Sequence, residues 1–253
     1  MTSLLNAVFA LGLALTSASG VALAQDAPRS LTYEVRVGGQ LLGTRELSVR
    51  YEVDAGEPTR VIESFTELNG SVGPARIAYQ QRITAFAGRA PASFHAVINE
   101  NGAPREVQAR WTSFGWTVSV ADRKRVRTFE APPDRIDIST IDLMDPGTRW
   151  TLGRFADLRI LSAETGEVWE GPVTPLGPST RSIQGKDVAV EGWAWKSPEG
   201  RTEFWYNSEG FLVEYKQRIL GIQVQGVLRS PPPAGPDEFP VKVSRAEVER
   251  LPL

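Results

Sequence analysis

No cysteine occurs anywhere in the 253 residues, and histidine appears once, as His95. The first absence excludes disulfides, thiolate metal sites and a lipid-modified cysteine. The second excludes a metal site built from several histidines. Charge of neither sign predominates. With 28 Lys and Arg against 30 Asp and Glu the formal charge is −2, so no long-range field directs the chain to nucleic acid or an anionic membrane. Helix signals are scarce. "DISTIDLMDP" fits one or two turns, with Asp137 or Ser139 as cap and Pro146 as stop, and "SRAEVER" holds the capping box Ser244-x-x-Glu247 on a short helix.

Long apolar runs are missing too. The N-terminal "MTSLLNAVFALGLALTSASGVALAQDAP" is broken by Thr16, Ser17, Ser19 and Gly20, and it falls short of the about 20 apolar residues of a membrane helix. It has no charged side chain before Asp26, and Ala22-Leu23-Ala24 is the small-x-small pattern of a signal-peptide cleavage site. The expectation is a signal peptide over residues 1–24, cut near Ala24. The Arg- and Ala-rich composition points to a bacterium, so the expected location is the periplasm, with no integral membrane anchor. Residues 25–229 read as a single antiparallel β domain, and 230–253 as a Pro-rich segment, "SPPPAGPDEFP", followed by the short helix.

What the chain has in abundance is alternation. "LTYEVRV" places Leu31, Tyr33, Val35 and Val37 on one face and Thr32, Glu34 and Arg36 on the other. "VIESFTEL", "ARIAYQQRITAF", "REVQARW" and "WTVSV" keep the same period of two, the pattern of half-buried strands. Gly38-Gly39, Asn69-Gly70, Asn101-Gly102, Glu199-Gly200 and Glu209-Gly210 are dipeptides suited to tight turns. Strands joined by such short links are antiparallel neighbours. The spacing predicts an all-β fold of about fourteen strands, a large antiparallel meander with one or two short helices.

Seven of the twenty-two aromatics fall in residues 190–228. Hairpin turns at 197–200, 207–210 and 220–221 would set Trp193 opposite Phe204, Trp195 opposite Thr202 and Phe204 opposite Val213. One face then collects Trp193, Trp195, Phe204, Tyr206, Phe211, Val213, Tyr215 and Val224. The other collects Glu203, Glu214, Lys216, Arg218, Gln223 and Gln225, with Trp205 and Leu212 as exceptions. Two short helices cannot cover that apolar face, so most of the sheet must cover itself, by folding into a sandwich or, as expected here, by curling into a barrel or half-barrel. A curled sheet this wide encloses more space than side chains fill. Trp193, Trp195, Phe204, Tyr206, Val213 and Tyr215 are therefore the candidate ligand-binding residues, for a lipid-like, apolar or amphipathic molecule.

Two stretches also carry a resemblance. "TYEVRVGGQLLGTRELSV", with Gly38-Gly39 and Gly43-Thr44, resembles the opening of a family of exported bacterial β-rich proteins of unknown function. "VEGWAWKSPEGRTEFWYNSEGFLVEY" resembles that family's closing segment, with its strand–WY(D/N)xxG–strand turn. At one further remove the pattern is similar to the curved sheets of periplasmic lipoprotein carriers, which implies a curved, lipid-accommodating sheet. The chain departs from the outer-membrane receptor of that system, because it has no lipid-modified cysteine.

Catalytic equipment is thin, and no cofactor is expected. His95 shares a strand face with Ser93 and Val97, and no G-x-S-x-G elbow accompanies it. Asp134, Asp137, Asp142 and Asp145 are the best candidates for a cation, but their spacing matches no EF-hand, and Asp at turns is an ordinary cap. Glu191 and Glu203 border the aromatic cluster, as a glycan hydrolase would require, yet alternation places them on opposite faces. "DRKRVR", residues 122–127, is a basic run on a hairpin, suited to protecting a strand edge. An outer-membrane barrel is the further alternative. Besides a small molecule, an envelope protein is a candidate partner.

Overall fold

The computed structural model describes residues 29–54, 57–88, 92–145, 152–219 and 222–229. The expected leader, the Pro-rich segment, Pro146 and the capping-box helix lie outside the described residues. Eight strands precede a short crossing segment: β1 (Arg29–Val37), β2 (Gln40–Asp54), β3 (Glu57–Val72), β4 (Ala75–Gly88), β5 (Ser93–Glu100), β6 (Ala103–Thr112), β7 (Gly115–Asp122) and β8 (Val126–Ala131). Seven follow it: β9 (Ile138–Ser139), β10 (Asp157–Leu161), β11 (Val168–Ile183), β12 (Lys186–Ser197), β13 (Gly200–Asn207), β14 (Leu212–Ile219) and β15 (Ile222–Leu228). Single 3-10 turns at Pro133–Arg135 and Asp142–Met144 stand where short helical turns are expected.

All fifteen strands form one sheet. Its order runs from β8 down to β1, then to β15, and from β15 down to β9. The two halves are thus meanders that meet where β1 pairs antiparallel with β15, Tyr33 opposite Leu228 and Val37 opposite Val224. β8 and β9 are left as free edges, so the sheet curls without closing its hydrogen-bond circuit. Among the described residues only β9 and β10 pair in parallel. The inward face carries the core, including fully buried Tyr33, Leu47, Ile62, Ile98, Leu158, Ile160, Tyr206 and Leu228. Each such aliphatic side chain contributes roughly 1.5–3 kcal/mol over its exposed state.

The turn chemistry works as the dipeptides require at most positions. Asn101 (φ 50°) and Gly102 (φ 79°) make the β5–β6 turn, both in the left-handed region that two-residue hairpins use. Asn69-Gly70 does not turn. Both residues continue β3, opposite Ala78 and Ile77, and the chain reverses after Val72 instead. A Cβ on Gly70 would stand 2.7 Å from a Leu42 methyl, so this glycine makes room for a neighbour.

The aromatic hairpins keep Trp193 opposite Phe204 and Trp195 opposite Thr202. Their next register differs from simple alternation. Phe204 stands opposite Tyr215 rather than Val213, because the turn closes on Asn207 and Phe211, one residue later than expected, and the ladder shifts by one more between Trp205 and Tyr206. The Asn207 side chain causes the tight return: its Oδ1 accepts the N–H groups of Glu209 (3.1 Å) and Phe211 (2.8 Å). The resulting bulge brings Leu212 to the interior, where strict alternation puts it outside. Trp205 stays on the outer face. It lies over Gly192, its cross-strand partner, under the Arg181 guanidinium at 3.8 Å from the ring centre.

Candidate functional site

A meander returns every second turn to the same end of the sheet. The turns after β1, β3, β5 and β12 therefore cluster at one end, because Val37 faces Val224 across the β1–β15 pair. Inside that end lies a cavity of about 550 Å³. Strands of both halves wall it: Val35, Leu68, Tyr79 and Ile98 on one side, and Trp195, Phe204, Leu212 and Tyr215 on the other. Leu143 and Met144, from the 3-10 turn, line it from within. Tyr206 helps to anchor that turn, donating its hydroxyl to the Leu143 carbonyl at 2.8 Å. Tyr33 likewise donates to the Leu212 carbonyl at 2.9 Å.

Polar groups converge at one place on this apolar lining. Arg45 of β2 points inward and donates from Nε to Thr66 Oγ1 (2.8 Å) and from Nη2 to Gln81 Oε1 (3.3 Å). Among the described residues its Nη1 reaches only the Met144 sulfur, at 3.7 Å. Its charge centre stands 5.5 Å from the Tyr215 ring. Gln81 in turn donates to Glu164 Oε1 (3.2 Å), so a buried amide bridges a half-buried cation and a half-buried carboxylate. Glu164 Oε2 accepts from Thr140 (3.1 Å) and Ser162 (3.2 Å). Burial alone would lower the Arg45 pKa, but Tyr215 and the Glu164 carboxylate more than offset it and hold it above its ordinary value. Tyr79 is pushed up, first by burial and then by Glu164.

Glu164 arrives by an element that pattern reading does not isolate. It sits in the turn between β10 and β11, which inserts across the open seam onto β6 and β7. Arg105 holds this turn through the Glu164 carbonyl (3.2 Å), and Arg127 of β8 through the Thr165 carbonyl (3.1 Å). Arg127 belongs to the basic run, so part of that run closes the seam.

The six aromatic and aliphatic candidates divide. Trp195, Phe204 and Tyr215 line the cavity. Trp195 also donates its indole N–H to the Leu158 carbonyl at 3.1 Å. Trp193, Tyr206 and Val213 do not line it. Trp193 packs over Gly153, Tyr206 is buried with its hydroxyl committed to Leu143, and Val213 is fully enclosed at the bulge. Tyr79 and Arg45 stand in their place, backed by buried Gln81, and parity could have found all three. In "GTRELSV" Arg45 has the same parity as buried Leu47 and Val49, and Tyr79 and Gln81 share that of buried Ile83 and Ala85.

The four Asp residues do not converge. Asp137 clasps Arg159 through both carboxylate oxygens, at 3.0 and 2.8 Å. Asp142 accepts from Ser139 N (2.7 Å) and Oγ (2.8 Å), Asp145 pairs with Arg60 at 2.5 Å, and the Asp134 carbonyl accepts from Arg159. Among the described residues no group of three metal-ligating side chains is found. His95 is exposed on the outer face, 2.8 Å from Glu106, whose pKa is lowered by hydrogen bonds from Gln108 and then His95. Glu191 stands opposite Tyr206 and Glu203 opposite Ala194, so the two carboxylates occupy different faces. No helix among the described residues is long and apolar enough to cross a membrane.

The architecture has solved counterparts. The crystal structure of a β-barrel-like protein of the domain of unknown function DUF1849, from Brucella abortus, superposes with a TM-score of 0.51. The match covers 79% of this chain and 95% of that one at 11% identity, a likeness of fold. No curated protein is significantly similar in sequence. Residues 33–229, from β1 to just past β15, match one family over most of the chain. The chain belongs to the family described as Domain of unknown function (DUF6134).

Proposed function

We propose that this protein holds an apolar or amphipathic envelope molecule inside its curled sheet, in the bacterial periplasm, without transforming it. The cavity carries the reading: about 550 Å³, walled by Val, Leu, Ile, Trp and Phe side chains with a few convergent polar groups. Small-molecule sites have this volume and this mixture. Trp195, Phe204 and Tyr215 are the contacts shared by the aromatic cluster and the cavity, and Val35, Leu68 and Ile98 complete the apolar wall. Burial of an alkyl chain there contributes about 0.8 kcal/mol per methylene. The absence of chemistry is part of the reading. It rests on His95 standing outside and on Glu191 and Glu203 facing apart.

Export rests on the Ala22-Leu23-Ala24 pattern that follows the apolar N-terminal run. One measurement addresses location and ligand together: native mass spectrometry of the protein taken from its own periplasm. The expected species is a chain beginning at Gln25 with a noncovalent adduct that organic solvent removes. An uncleaved chain confined to membranes overturns the location. A bare chain that also fails to bind solvatochromic fatty-acid probes at micromolar concentration overturns the binding reading.

A further inference from the structure

We propose that Arg45, with the hydroxyls of Tyr79 and Tyr215, forms a carboxylate receptor inside the cavity, so that the ligand is a fatty-acid-like monocarboxylate bound head inward. This deepens the binding reading and rests on it.

The argument is one of hydrogen-bond supply. A guanidinium carries five N–H donors and no acceptor. Arg45 commits one to Thr66, one to Gln81 and one to the weakly accepting sulfur of Met144. Two remain without a protein acceptor among the described residues. The half-buried carboxylate beside it, Glu164, is in the opposite condition, since Gln81, Thr140 and Ser162 already donate to its two oxygens. The cavity therefore has unspent donors at its cation and few unspent acceptors at its inner anion. Tyr79 and Tyr215 line the same space, and the Tyr215 ring centre stands 5.5 Å from the Arg45 charge centre. Neither phenol hydroxyl has a partner among the described residues, so each O–H is free to donate.

Three donor groups around one hollow match the acceptor-only oxygens of a carboxylate, and charge-assisted bonds to Arg are the strong kind. The lining already holds Glu100, Glu164, Glu167 and Glu199 against Arg45 and Arg105, so among anions the one of lowest charge is the best tolerated. A phosphate monoester brings about 1.5 to 2 negative charges at neutral pH, more than one guanidinium balances beside Glu164. The apolar chain then runs along Val35, Leu68, Ile98 and Phe204 toward the hairpin end.

The test compares cis-parinaric acid with its methyl ester, by fluorescence titration at pH 8, on the purified full chain. The ester keeps the chain and removes the charge. Wild-type protein should bind the acid at least about tenfold more tightly, as for one hydrogen bond to a charged group. Arg45→Met should remove that preference while keeping ester binding, which also reports an intact cavity. Tyr79→Phe should narrow the preference with less disturbance to the core. Equal affinity of wild-type protein for acid and ester overturns the receptor and leaves the binding reading standing. A preference that survives in both variants overturns it too. If neither probe binds the wild-type protein, the binding reading itself falls.

Discussion

Tyr33, Tyr79 and Tyr206 hold their hydroxyls protonated inside the sheet, each with a pKa raised mainly by burial. Unfolding returns each to its ordinary value of 10.0. Above that pH the folded chain binds more protons than the unfolded one, so stability is full below about pH 10 and falls as pH rises further. Each tyrosine adds about 1.4 kcal/mol per pH unit to that fall. Tyr206→Phe removes one of the three. The unfolding free energy of this variant, from urea titration, should decline less steeply between pH 10 and 11, by about 1 kcal/mol. At pH 7 the same variant should be less stable by about 1–3 kcal/mol, because the buried Leu143 carbonyl loses its donor. An unchanged slope would show that the Tyr206 hydroxyl titrates normally.

The β10–β11 turn is the element on which the seam depends. Gly166 within it has φ +69°, and a Cβ there would stand 2.3 Å from a Val120 methyl and 3.3 Å from one of Val107. Gly185, in the β11–β12 turn, has a similar φ of +75° with nothing within 4 Å. Both glycines supply a left-handed backbone, but only Gly166 also allows close approach. Gly185→Ala should cost about 1–2 kcal/mol from conformation alone. Gly166→Ala should cost a further 1–3 kcal/mol for overpacking against β6 and β7. Guanidinium denaturation of the two variants measures the difference. Equal losses would show that the turn does not dock across the seam in solution.

At the scale of the molecule the sheet has one join of very long range and one opening. β1 meets β15, with Tyr33 opposite Leu228, whereas β8 and β9 are neighbours in sequence that do not pair. Stability should be distributed accordingly. Amides of β1 and β15 in the middle of the sheet should exchange with solvent only on global unfolding, and those of β8 by local fraying at the free edge. Hydrogen-exchange mass spectrometry reads both. β8 protected as strongly as β1 would mean that another surface covers this edge. The edge already shows protective chemistry: the exposed charge of Arg127 stands on it, tied to the Thr165 carbonyl.

The sequence by itself determined the strands, their antiparallel neighbours and which face of each is apolar. These follow from a period of two and from turn dipeptides, which act over a few residues. Trp193 opposite Phe204 and the inward run Leu31, Tyr33, Val35 and Val37 were legible for that reason. The bulge at Val213, which brings Leu212 inward, was not, because it depends on how Asn207 caps its own turn and how β14 meets β13. Asn69-Gly70 misled for the same reason, since the glycine answers to Leu42 on another strand. The candidate site was half legible. Trp195, Phe204 and Tyr215 came from the aromatic pattern, and Arg45 stood at inward parity without a partner that sequence could name. Only the tertiary structure joined β1 to β15, set Gln81 between Arg45 and Glu164, and left an interior of about 550 Å³. Curvature and closure sum small twists over fifteen strands, and no local pattern encodes what that sum encloses.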